Sequence, residues 1–143
     1  MLSVEDLRKR LDYFHGTHEY HRLNRMFKLV ATDGVAWLMK NAEAYWLFDA
    51  IGSYQPRLAK IEELREFQYW LLSVGGRGEI GDDVRYPMMV PKERNVAVLT
   101  CWRDTPKVGL KPVVRQVIEY SDFPLSETSF YLQEGVLMLP SEN

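Results

Sequence analysis

The chain has 143 residues, 46% hydrophobic and 27% charged, the balance of one globular domain with a real core rather than of a disordered segment. A formal net charge of −2 supplies no overall field to draw nucleic acid or anionic lipid. No apolar run approaches the roughly 18–20 residues a bilayer span needs, and the single cysteine, Cys101, excludes an intrachain disulfide.

The opening stretch MLSVEDLRKRLDYF is charged from residue 5 and lacks the apolar core of a secretory leader, so the expected compartment is the reducing cytoplasm. Ser3 followed by Asp6 resembles a capping box with Asp in the acidic position, and Val4, Leu7, Leu11 and Phe14 then recur at helical spacing until Gly16 ends the pattern. Thr32-Asp33-Gly34 is a second start signal, since either side-chain oxygen can take an early helical N–H. Val35, Leu38, Met39 and Ala42 share one face beyond it. AYWLFDAIGSYQP follows, apolar on most of its circumference and expected to end at Gly52 and Pro56. Periodicity leaves open whether residues 33–54 form one helix or two bent near Glu43.

From residue 66 the period changes. EFQYWLLSV (66–74), NVAVLTCW (95–102), PVVRQVIEY (112–120), SFYLQ (129–133) and VLMLP (136–140) are short, rich in β-branched and aromatic residues, and separated by turn chemistry. Glu134-Gly135 reads as a tight hairpin. Helices first and strands second predict an α+β fold. N-terminal helices (about 3–61) would pack on one face of a four- to five-stranded, mainly antiparallel sheet formed by the C-terminal half (about 66–140), within a single domain over 1–143. The link 75–95 is long for an ordered hairpin loop. Its first part, with four glycines and Arg77, Glu79, Asp82, Asp83 and Arg85, is expected to be exposed and mobile, and replaceable by a short Gly-Ser linker. Met88, Met89 and Val90 are expected to pack on the body or a partner.

Candidate chemistry is sparse. His15, His18 and His21 stand three apart, and on a continuous helix successive imidazoles would share an arc wide enough for one metal ion. Gly16-Thr17 interrupts that helix, so the reading is three surface histidines and no metal site. GRGEIG (76–81) matches GxGxxG after a strand, but DDVRYPMMVP follows where a helix would have to meet the pyrophosphate, so no dinucleotide cofactor is expected. Cys101, inside a strand, reads as a buried structural thiol. Asp49, beside Tyr45 and Trp46 in an apolar stretch, is the most unusual polar group. It either meets solvent or lies buried on a hydrogen-bond partner, and a buried carboxylate with a raised pKa could serve as acid or base. Asp33 and Asp122 read as a helix cap and a turn residue. Arg22, Arg25, Lys28, Arg57, Lys60, Arg65 and Arg85 interleave with aromatics, yet the acids among them dilute any basic field, so nucleic acid is not the expected partner.

FHGT (14–17), TDGVAWL (32–38), AEAYWLFDAI (42–51), EFQYW (66–70), YSDFPL (120–125) and LPSEN (139–143) stand in order across the chain. In this motif set the chain resembles DUF6876, a family of small bacterial and phage-associated proteins of unknown function. The shared elements are Phe14, Gly16, Thr17, Thr32, Asp33, Gly34, Tyr45, Trp46, Asp49, Gln55, Trp70, Asp122, Phe123 and Pro124. The three histidines lie outside the set, and the 75–95 link is expanded relative to it. The resemblance carries no assigned activity, cofactor or catalytic residue; it implies an accessory gene of a bacterium or its mobile elements. The expected function is therefore that of a non-enzymatic protein acting through contacts with an unidentified protein partner, with self-association open. The alternatives are a small enzyme centred on Asp49 or the histidines, and a weak nucleic-acid binder.

Overall fold

The structure, a computed structural model, describes residues 2–78, 84–107 and 109–143. Glu79, Ile80, Gly81, Asp82 and Asp83, and with them half of the glycine motif, lie outside the described residues. The chain divides into two compact units, one of residues 1–68 with 130–143 and one of residues 69–129.

In the first unit, helix α1 (Val4–Leu11) begins as expected, with the Ser3 hydroxyl accepting the Asp6 N–H at 3.1 Å. Strand β1 (Val30–Ala31) precedes α2 (Asp33–Asn41), α3 (Tyr45–Leu58) and α4 (Glu62–Glu66). Residues 33–54 thus belong to two helices, broken where Glu43 takes a left-handed φ of 51°. Thr32, not Asp33, is the cap of α2, its hydroxyl accepting the Val35 N–H at 3.4 Å. The expectation that Gly52 and Pro56 end α3 fails, since the helix runs through both to Leu58. Gly52 is there for space: a Cβ would lie 2.5 Å from the Phe27 ring. Pro56 removes one bond near the last turn, where the burial of Leu58 still holds the helix down. Leu29, Leu38, Leu47, Phe48, Ile51 and Leu137 are among this unit's core residues.

The sheet has six strands in the order β1-β6-β5-β2-β3-β4, with β2 at Phe67–Val74, β3 at Ala97–Trp102, β4 at Val114–Ile118, β5 at Glu127–Gln133 and β6 at Val136–Met138. The α+β class stands, with two corrections. Among the described residues there are six strands rather than four or five, and β1 comes from the N-terminal half and runs parallel to β6, so the sheet is mixed. Two residues carry no readable period, which is why β1 escaped the sequence. The pairs β2–β3, β3–β4 and β5–β6 are antiparallel. Burial explains the patterns: β3 is buried at every residue and β2 at all but its first, as continuous apolar runs require, whereas β5 alternates.

In the second unit the 75–95 link departs from expectation at both described ends. Arg77 does not wave in solvent. Its guanidinium donates to the Phe123 and Ser121 carbonyls, each at 2.6 Å, and to the Asn95 side-chain oxygen at 2.7 Å. The Arg85 and Tyr86 N–H groups donate to the Glu127 carboxylate. Of the residues expected to pack on the body or a partner, Met88 does not pack on the body, being 95% exposed on the 3₁₀ turn Pro87–Met89, while Met89 and Val90 are half-buried.

Candidate functional site

The three histidines part company. His15 and His18 are exposed, and only His21 enters a cluster, paired through its backbone with Ala31. Its Nε2 lies 2.7 Å from Asp33 Oδ1, and the other Asp33 oxygen accepts the His18 N–H at 2.9 Å. Glu19, His21 and Asp33 offer ligand atoms within 4.8 Å of one another. Both Asp33 oxygens are already engaged, however, and Asp33 sits at the N-terminus of α2, whose partial positive charge disfavours a cation. The arrangement is that of a clasp. Its neighbours agree: the Asp33 N–H donates to the Thr17 hydroxyl at 2.9 Å, Thr32 donates to Glu142 Oε1 at 2.6 Å, and the Gly34 N–H donates to Glu142 Oε2 at 3.1 Å. A Cβ on Gly34 would lie 2.6 Å from that carboxylate. FHGT, TDG and LPSEN therefore meet at one helix end and tie it shut.

Asp49 is exposed on α3, not buried, and accepts the Asn24 side-chain N–H at 2.9 Å. Tyr45 is exposed and Trp46 half-buried, and the three gather no enclosed polar site. Cys101 is fully buried, and burial pushes its thiol up to about 12, which leaves it inert as a nucleophile.

What the sequence reading missed lies one turn further along α3. Gly52, Gln55, Pro56 and Ala59 fall at i, i+3, i+4 and i+7, one helical stripe with no bulky apolar side chain. This stripe, with Met26, Phe27, Leu29, Leu64 and Leu132, lines an open pocket of about 500 Å³ within the first unit. The Asn24–Asp49 bond fixes the turn that carries Met26 and Phe27 beside it. Gln55 and Gln68 exchange a reciprocal amide pair across the lining, at 2.9 and 2.8 Å, and each Nε2 also donates to a carbonyl one turn back, of Ile51 and Leu64. Pro56 has no N–H to give the Gly52 carbonyl, leaving that acceptor without its helical partner in the same lining. Lys28 and Arg65 are the charged lining residues. The stripe is legible in the sequence, although Gly52 and Pro56 taken alone read as a helix stop.

Helices gathered in the N-terminal half and a six-stranded mixed sheet make this an α+β protein with a ligand-sized pocket against one helix. Over residues 5–143 the chain matches the model of DUF6876, a family of unknown function, and it belongs to that family. No curated protein and no solved structure matches it. Among the described residues no helix is long and apolar enough to cross a membrane.

Proposed function

We propose that the chain is a non-enzymatic binding protein that seats part of another protein in the α3 pocket, in the cytoplasm and in the accessory repertoire of a bacterium or its mobile elements. The pocket carries this reading. Its volume of about 500 Å³ falls within the size range of ligand sites, and apolar walls around a few convergent polar groups are the usual composition of such sites. Met26, 86% exposed beside it, offers the unbranched, adaptable side chain common on binding surfaces. The groups with most chemical potential are spent elsewhere: His21 and Asp33 on each other, Asp49 on Asn24, and Cys101 in the core.

Ala59 is exposed and lines the pocket, so Ala59→Trp fills the space without entering the core. Wild type and this variant, shown to melt at the same temperature, are used as baits with a cross-linker. A protein retained by wild type and reduced about tenfold on the variant is the expected result. Equal retention by both would place the work of the molecule elsewhere.

A further inference from the structure

Resting on that reading, we infer that the pocket selects a partner segment in which a bulky apolar side chain is flanked by a carboxylate. The charge pattern is one-sided. Lys28 and Arg65, both exposed, are the charged residues of the lining, and among the described residues neither has an ion-pair partner. Glu62, Glu63 and Glu66, although they belong to the same short helix as Arg65, do not line the pocket. A chain with net charge −2 thus presents two unpaired cations at the mouth of an apolar recess. An apolar anchor buries against Phe27, Leu64 and Leu132, and an adjacent acid reaches the cations and loses little water doing so. A free cationic or uniformly apolar segment would leave Lys28 and Arg65 repelled or unused, so complementarity selects the acidic-apolar class.

The test is a display selection of random nonapeptides on wild type, Ala59→Trp and the double charge reversal Lys28→Glu with Arg65→Glu, all verified as folded by melting temperature. Wild type is expected to enrich peptides that pair Leu, Ile, Phe or Trp with a neighbouring Asp or Glu. Ala59→Trp should abolish that enrichment. The double reversal should invert the bias towards Lys and Arg and weaken an acidic winner about tenfold, since each exposed pair is of modest strength and two attractions become repulsions. Apolar winners that depend on Ala59 but show no acidic bias, or no response to charge reversal, would overturn this inference and leave the pocket reading intact. Absence of any Ala59-dependent enrichment would overturn both. A concentration-dependent dimer that Ala59→Trp dissociates in sedimentation would make a second copy the occupant and refute the foreign acidic segment.

Discussion

The Asp33 carboxyl is held below the ordinary 3.8, first by the His18 backbone N–H, then by the hydrogen bond with His21, with partial burial pulling the other way. A carboxyl that ionises more readily when folded adds stability that is complete above 3.8 and lost as pH falls through its lower folded value. Asp33→Asn removes that charge. In urea titrations the wild-type advantage over the variant should shrink progressively as pH falls below about 5. An advantage that stays level into acid would show that the clasp owes nothing to ionisation. At this scale the sequence misled by counting along the chain. His21 has its partner 12 residues away, brought near by the Ala31 bridge, and not at the regular steps of three. Arg77 looked solvated because its neighbours are polar, yet its carbonyl acceptors lie 44 and 46 residues on.

Elements were more legible where local chemistry decides. Glu134 and Gly135 form the expected two-residue hairpin between β5 and β6, with φ of 50° and 80°. Both values lie in the left-handed region, which favours Asn over Glu at the first position because a short polar side chain tolerates it. Glu134→Asn should stabilise the chain by about 0.5 kcal/mol, read as a higher urea midpoint with an unchanged slope. A lower midpoint would mean that Glu134 makes a contact worth more than its backbone strain. The strand sequences from 66 to 140 were found in place because β-branched and aromatic runs between turns are a local signal. The course of α3 was not, because Gly52 and Pro56 are breakers in isolation and become tolerable only when Phe27 needs the space and packing holds the last turn.

For the molecule as a whole, the motifs strung along the sequence prove to be pairs. Thr32 and Glu142 are 110 residues apart and meet at 2.6 Å; Gln55 and Gln68 exchange amides; Arg77 reaches the carbonyls of Ser121 and Phe123. Glu142→Ala removes three hydrogen bonds to one half-buried carboxylate, two from Thr32 and Gly34 at the α2 terminus and one from Leu139 in its own turn. It should cost about 2 kcal/mol in chemical denaturation, with Glu142→Gln losing less because it keeps one carbonyl oxygen. Full stability of the alanine variant would make the clasp ornamental. By the same logic a Gly-Ser replacement of residues 76–86 is no longer expected to be silent, since it deletes Arg77. By itself the sequence determined the α+β class, the cap at Ser3, the tight turn at Glu134-Gly135, the buried thiol and the family, because caps, turns and periodicity are written between near neighbours and the family in ordered motifs. The tertiary structure alone decided that β1 joins the sheet beside β6, that Asp49 meets solvent, and that the Gly52, Gln55, Pro56 and Ala59 stripe borders a pocket also lined by Lys28 and Arg65. A cavity is space left between segments far apart in the chain, and no residue's local preferences encode it.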